Sequence, residues 1–409
     1  MANRHTLQDL YELQALPLDL KVRLTKQRIR EWIRYFGENG VYVSFSGGKD
    51  STVLLDIVRE DYPNVKAMFV DVPTQYPELR DFVKTYDNVD IVRPRISFVE
   101  VCKRYGFPLI SKEVSEAVYN ARKYLTALEN KQTVLTDRQT DRQTDRVRNA
   151  WAMADLLGIE KRGKGENKSY ELLKKGIIPS DMNYEFGFPM RLLSVLGKVP
   201  HKEKGKITNE YSDRYDKSRY RFFLDAPFEI SSMCCNVMKK NPAHKYQKET
   251  GKVPFTAQMA SESRLRAANW VKYSCNGFEL KSPISNPMSF WTEQDVLLYI
   301  KTHDLKICSV YGDVVTDDEE WGQIDFAEWT GNELFELGQK PLHCTGCQRT
   351  GCVLCGFGAH MSGDERYLML KETHPGLYGL LDKIENNGYT MRQAIEWINE
   401  HGKNIDIKL

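Results

Sequence analysis

Residues 41–51 read Val-Tyr-Val-Ser-Phe-Ser-Gly-Gly-Lys-Asp-Ser, and this stretch decides the fold. Val41–Phe45, with Ser44 inside it, is a short β-branched and aromatic run of the kind that forms a strand. Ser46-Gly47-Gly48-Lys49-Asp50-Ser51 follows, and a helical pattern, TVLLDIVREDY, starts at once. A strand running through two glycines into a helix is suited to an anion. The glycines let the backbone turn tightly and approach a ligand, and the first free N–H groups of the helix point at it. Ser46 and Ser51 add hydroxyl donors, and Lys49 adds a point charge. The spacing is too short for the Walker G-x-x-x-x-G-K-[ST] loop. An ordinary strand-to-helix turn is the plain alternative, but the whole string is too particular for one.

Working outward, Lys66–Val72 and Val89–Val92 read as further strands with a helix between them. Strands alternating with helices at this spacing predict βαβ units and a parallel, doubly wound sheet. Upstream, residues 1–40 read as helical, with Val22, Ile29, Trp32 and Ile33 at helical spacing. The alternation stops after Ser111, and residues 112–217 read as a helical, polar insert. It contains the repeat TDRQTDRQTDR (Thr136–Arg146) and then Lys161, Arg162, Lys164, Lys168, Lys174, Lys175, Lys202, Lys204 and Lys206. A solvated face is the plain reading of such charge; a nucleic-acid contact is the sharper one. Strand signals return at Arg219–Leu224 and Val253–Thr256, and Thr292 is placed to cap a helix with Asp295 three residues on. The expected organisation is an N-terminal helical segment (1–40), an α/β domain in two parts (41–111 and 218–305) around the insert, and a cysteine-rich C-terminal module with helices (306–409).

Composition sets the outer limits. The chain has 409 residues, 41% hydrophobic and 28% charged, enough to build two or three domains and to exclude disorder as the dominant state. No apolar run approaches the roughly 18 residues needed to span a bilayer, so no membrane partner is expected. The N-terminal stretch lacks the continuous apolar segment of a secretory signal, and a cytoplasmic protein is expected. A net charge of +2 gives no overall attraction to nucleic acid or anionic lipid.

Nine cysteines in such a chain point away from a disulfide framework. Cys102 and Cys308 stand alone in apolar surroundings and read as buried small hydrophobes. Cys234 and Cys235 are adjacent, Cys275 follows, and Cys344, Cys347, Cys352 and Cys355 are packed together. Cysteine pairs at C-x2-C spacing bind zinc or iron–sulfur clusters. Cys344, Cys347, Cys352 and Cys355 would make a compact zinc site by themselves. Among the histidines, His303 and His374 read as surface or capping residues, while His343 and His360 flank the cysteine cluster.

The string SFSGGKDST resembles the pyrophosphate-binding loop of the PP-loop superfamily, which includes the N-type ATP pyrophosphatases and the adenylyl-sulfate and phosphoadenylyl-sulfate (PAPS) reductases. Phe69-Val70-Asp71-Val72-Pro73-Thr74 with Tyr76-Pro77-Glu78 is similar to the family's F-x-D-T-G and F-P-E segments. Cys234-Cys235-x3-Lys239-Lys240-x-Pro242 resembles the C-C-x-x-R-K-x-x-P segment of the iron–sulfur reductases. Thr256 to Arg266 is similar to T-G-x-R-x-x-E-S-x-x-R, and Pro283-Ile284 with Trp291 and Asp295-Val296 to the closing P-I-x-x-W-x-x-x-D-V helix. The resemblance implies an α/β fold like that of the adenine nucleotide alpha hydrolases. It also implies a [4Fe–4S] cluster held by Cys234, Cys235, Cys352 and Cys355, with Cys275 as a further ligand and zinc as the alternative metal. In that reading Cys344 and Cys347 are spare or redox-active.

Three departures bear on function. No cysteine follows Cys355, whereas the family's reductases carry a nucleophilic cysteine near the C-terminus. Ala257 and Met259 replace the Gly and Arg of the T-G-x-R motif, and Val72-Pro73 follows Asp71. The phosphate loop itself is intact. The expectation is therefore an adenine-nucleotide enzyme, with ATP and Mg²⁺ favoured over adenylyl sulfate or PAPS. It would adenylate an acceptor, release pyrophosphate and let sulfur displace AMP. Ser44, Ser46, Gly47, Gly48, Lys49, Asp50, Ser51 and Asp71 would hold the nucleotide, with Arg264 and Arg266 closing over the anion. Lys49, Asp50 and Asp71 are the catalytic candidates. A sulfur donor or reductant protein is an expected partner, and a nucleic acid a candidate acceptor. Assimilatory sulfonucleotide reduction and a non-catalytic nucleotide sensor are the rival readings.

Overall fold

The computed structural model describes residues 4–136, 194–197, 199–203, 206–317 and 341–409. They fall into two compact units: residues up to Arg95 together with Val237–Val353, and Ile96–Asn236 together with Leu354–Leu409.

The first unit carries the expected sheet. Strands β1 (Val41–Ser44), β2 (Lys66–Val70) and β3 (Val89–Val92) lie side by side, and β5 (Val253–Phe255) pairs on the other flank of β1, all in parallel. β7 (Ile284–Ser285) continues in parallel from β5, and β6 (Asn276–Gly277) closes the edge antiparallel, giving the order β3-β2-β1-β5-β7-β6. β1 is central because its residues can be buried on both faces; Val41, Tyr42 and Val43 are each almost wholly removed from solvent. Helices α1 (Leu7–Gln14), α2 (Leu18–Phe36) and α3 (Lys49–Asp61) bury Leu10, Ile29, Trp32, Val53, Leu54 and Ile57 in one core with the sheet. α4 (Pro77–Lys84) follows β2. The helix Glu293–Thr302 begins as expected at Thr292, whose hydroxyl accepts from the Asp295 N–H while Asp295 accepts from the Thr292 N–H. Asp295 also receives the buried Lys21 ammonium, 2.7 Å away, which ties this helix to α2.

In the second unit, β4 (Leu109–Ile110) pairs in parallel with β8 (Gly356–Phe357), and Phe107 bridges to Ile230. Arg219–Leu224, expected as a strand, lies instead in a 3₁₀ helix, Ser218–Asp225. A strand would send Phe222 and Phe223 to opposite faces, whereas the helical turn stacks them at 4.4 Å and brings both against Trp397. Within the stretch expected to be a helical insert, α5 (Lys112–Thr136) is helical, but Pro200–Glu203 and Lys206–Tyr211 form an antiparallel hairpin. Most of the TDRQ repeat, and the basic residues from Lys161 to Lys175, lie outside the described residues. Cys102 and Cys308 are fully buried, as small hydrophobes would be. No helix among the described residues is long and apolar enough to cross a membrane.

Candidate functional site

The site grows from the junction of β1 and α3. Gly47 turns the chain with φ +73°, and a side chain there would press on Val83 at 3.0 Å and Leu79 at 3.3 Å. Glycine is therefore required both by conformation and by the approach of α4. Gly48 is the N-cap of α3, so the helix's first N–H groups open at the C-terminal edge of the sheet, where doubly wound folds bind ligands. Ser51 braces the turn from inside: its hydroxyl donates to the Gly48 carbonyl at 2.9 Å and accepts from the Ser46 N–H at 3.1 Å. Ser51 thus shapes the loop from below.

A cavity of about 380 Å³ opens over this loop. Ser46, Gly48, Lys49 and Asp50 form its floor; Met259, Ser261, Glu262 and Glu293 line one part, and Tyr311, Arg349 and Thr350 another. Lys49 is 4% exposed, and its ammonium is 2.8 Å from Glu293 Oε1 and 2.6 Å from the Gln348 carbonyl. Its backbone N–H donates to the Tyr311 hydroxyl at 3.2 Å, and that hydroxyl is 2.5 Å from Thr350 Oγ1. A methyl group on Gly48 would lie 3.2–3.3 Å from the hydroxyl oxygens of Ser46, Tyr311 and Thr350, so three hydroxyls converge above the loop. Burial pushes the Asp50 carboxyl up and the nearby Lys49 partly offsets it; Glu293, Arg349 and Arg266 lie within electrostatic reach. One Asp50 oxygen, Oδ1, is buried with no hydrogen-bond partner among the described residues. Burial also pushes the Tyr311 phenol far above its ordinary range, so it stays a neutral hydroxyl.

Of the residues expected to hold a nucleotide, Ser46, Gly48, Lys49 and Asp50 line the cavity, and Gly47 and Ser51 support it. Ser44, Asp71, Arg264 and Arg266 are outside its lining. Asp71 is buried between two guanidinium groups, Arg80 Nε at 2.7 Å and Arg93 Nε at 3.0 Å, so both its oxygens are engaged. Arg264 is exposed and lines a different cavity with Arg4–Leu7 and Tyr11 of the N-terminal segment. Arg266 is ion-paired with Glu262 and sits within electrostatic reach of Asp50. Sequence reasoning missed Glu262, Glu293, Tyr311, Gln348, Arg349 and Thr350 as site residues.

The cysteines divide between the units: Cys234, Cys235 and Cys355 in one, Cys275, Cys344, Cys347 and Cys352 in the other. Cys275 belongs to the core of the sheet, 3% exposed and accepting from Ser289 Oγ at 3.2 Å. Burial pushes its thiol up. Cys344 and Cys347 are buried in the loop that delivers Gln348 to Lys49, and Cys344 lies within electrostatic reach of Lys49, Glu293 and Asp50. Among the described residues, no three or more His, Cys, Asp or Glu side chains gather into a group that could hold a metal.

The profile of the phosphoadenosine phosphosulfate reductase domain matches residues 40–146 and 198–356, well over half of the chain. Among solved structures, the crystal structure of phosphoadenylyl-sulfate (PAPS) reductase from Candida auris, a phosphate complex, matches with 12% sequence identity and a TM-score of 0.32. The match covers 75% of this chain and 88% of that one. A search of curated proteins finds no match to the chain.

Proposed function

Since this chain belongs to the phosphoadenosine phosphosulfate reductase domain family, we propose that it is an enzyme that grips the phosphates of an adenine nucleotide with Ser46–Ser51, and that ATP with Mg²⁺ is its preferred form. The observation that carries this choice is the mixed charge of the cavity: Lys49 and Arg349 stand beside Asp50, Glu262 and Glu293. A metal-free sulfonucleotide brings only negative charge, which Asp50 and Glu293 oppose, Glu262 being paired already with Arg266. A cation-bridged polyphosphate suits the same set, because Mg²⁺ takes one or two protein carboxylates and fills its remaining positions with phosphate oxygens and water. In this reading an acceptor oxygen attacks the α-phosphorus, pyrophosphate leaves with Lys49 balancing its growing charge, and a sulfur nucleophile then displaces AMP. The basic residues between Lys161 and Lys206 favour a nucleic-acid acceptor. Isothermal calorimetry tests the reading: wild type binds ATP only with Mg²⁺, and Lys49→Ala weakens that binding. Equal ATP affinity in Lys49→Ala removes the loop from the mechanism.

A second reading, reduction of adenylyl sulfate or PAPS, is favoured by Cys344, within electrostatic reach of Lys49, and by Cys347, next in sequence to the Gln348 whose carbonyl holds that lysine. One thiol, once it has lost its proton, would attack the sulfonate sulfur and release the nucleotide, leaving a thiosulfonate; the other, deprotonated in turn, would displace sulfite and close a disulfide. Against it, both thiols are buried, and burial pushes Cys344 up, away from the thiolate form. Sulfite release from a sulfonucleotide, lost in Cys344→Ala and Cys347→Ala, would select this reading. An iron–sulfur centre enters either reading through Cys234-Cys235 and Cys352-x2-Cys355, and iron and sulfide analysis of anaerobically purified protein tests for it.

A further inference from the structure

Several donors of the phosphate loop, three N–H groups and the lysine ammonium, are already taken, and the chain itself takes them. The Ser46 N–H donates to Ser51 Oγ and the Gly48 N–H to Ser46 Oγ at 3.3 Å. The Lys49 N–H donates to the Tyr311 hydroxyl, and the Lys49 ammonium is divided between Glu293 and the Gln348 carbonyl. Tyr311 and Gln348 come from 262 and 299 positions further along the chain, so these are long-range contacts and not local turn chemistry.

They arrive together, as one strap. The Cys347 N–H donates to the Val310 carbonyl at 2.8 Å, Gly346 to Tyr311 at 2.9 Å and Thr345 to Asp313 at 3.0 Å. A side chain on Gly346 would lie 2.5 Å from the Val310 carbonyl oxygen, so the two segments touch backbone to backbone. Tyr311 on one segment and Gln348–Thr350 on the other are therefore joined before they reach Lys49, and Tyr311 binds Thr350 again over the loop.

We propose that this strap is a gate on the phosphate site. The Tyr311 hydroxyl, neutral and held by Thr350, occupies the helix N–H where a phosphate oxygen would bind. Anion binding displaces it, freeing the Lys49 N–H and turning the Lys49 ammonium from the Gln348 carbonyl to the ligand. The inference rests on the loop being the nucleotide's phosphate site and adds how that site is controlled. Apparent affinity is then the intrinsic affinity scaled by the fraction of molecules with the strap lifted.

The test is calorimetric binding of Mg²⁺-pyrophosphate and Mg²⁺-ATP to the full-length wild type, to Tyr311→Phe and to Thr350→Val. Tyr311→Phe keeps the ring, 5.4 Å from the Lys49 ammonium, and removes only the competing oxygen. The gate predicts tighter binding by Tyr311→Phe, about three- to tenfold, the worth of one neutral hydrogen bond. Thr350→Val, which unfastens the hydroxyl, shifts affinity in the same direction. Ligand binding by wild type with equal or weaker binding by both variants overturns the gate and leaves the loop's role standing. No binding of either ligand by any of the three proteins overturns the loop reading and the gate with it.

Discussion

The Lys49 ammonium stands 2.8 Å from Glu293 Oε1, so the one lysine of the phosphate loop is held by a carboxylate on the cavity wall. Glu293 is the second residue of the capping sequence Thr292–Asp295, and the fixed start of that helix holds it over the loop. A ligand that takes Lys49 must leave Glu293 with a new partner. That requirement separates a metal-bridged nucleotide from a bare anion.

Glu293→Gln therefore acts in opposite directions on the two ligand classes. Mg²⁺-ATP loses a carboxylate near the metal and binds more weakly, while metal-free PAPS loses a competitor for Lys49 and binds more tightly. Glu293 is 43% exposed, so the pair is worth no more than about 1 kcal/mol, or roughly fivefold in each affinity. Paired calorimetric titrations check it. Weakening of both ligands alike would count against the metal-bridged pose.

Asp50 makes stability depend on pH. Burial raises its pKa above the ordinary 3.8, so the folded chain holds this proton more tightly than the unfolded chain does. The stabilisation is complete below the ordinary value and is lost as pH rises through the raised one. Urea midpoints measured from pH 4 to 7 should fall less steeply with rising pH in Asp50→Asn than in wild type. Parallel curves would show that Asp50 ionises as it does in water.

The Lys21–Asp295 pair is buried and fastens two helices. Asp295→Ala strands the Lys21 charge, 2% exposed, and removes a helix cap, so a loss of about 3–5 kcal/mol is expected. Lys21→Met leaves Asp295 with its Thr292 contacts and should cost clearly less. Denaturant unfolding of the two variants gives the order directly.

Cys275→Ser should lower stability and leave metal content unchanged. Its sulfur is packed in the core under the Ser289 hydroxyl, and a serine there buries a more polar group in the same space. Parallel loss of iron or zinc with this substitution would return Cys275 to the ligand set.

The sequence displays β1, the glycine turn and the start of α3 because these are local: composition, turn chemistry and helix period coincide within eleven residues. The same holds for Thr292 with Asp295. What it hides is what depends on distance. Tyr311, Arg349 and Thr350 carry no motif of their own, and the cysteines beside Arg349 and Thr350 drew the reading towards metal. Their role follows from backbone pairing between Val310–Asp313 and Thr345–Cys347, which no periodicity encodes. Asp71 sits at the end of its strand as expected, but Arg80 on the next helix and Arg93 after β3 close on it, and neither contact is visible in the FVDVPT string. Arg219–Leu224 has the aromatic content of a strand, yet adjacent phenylalanines that must share one packing face favour a helical turn.

The central claim is that Ser46–Ser51 holds the phosphates of a Mg²⁺-bound nucleotide. The most direct measurement is calorimetric titration of anaerobically purified full-length protein with ATP, adenylyl sulfate and PAPS, each with and without Mg²⁺, beside Lys49→Ala. The account predicts ATP binding that requires Mg²⁺, weakened about 10- to 100-fold by loss of the charged donor at Lys49. Tight sulfonucleotide binding without metal, and none of ATP, would contradict it.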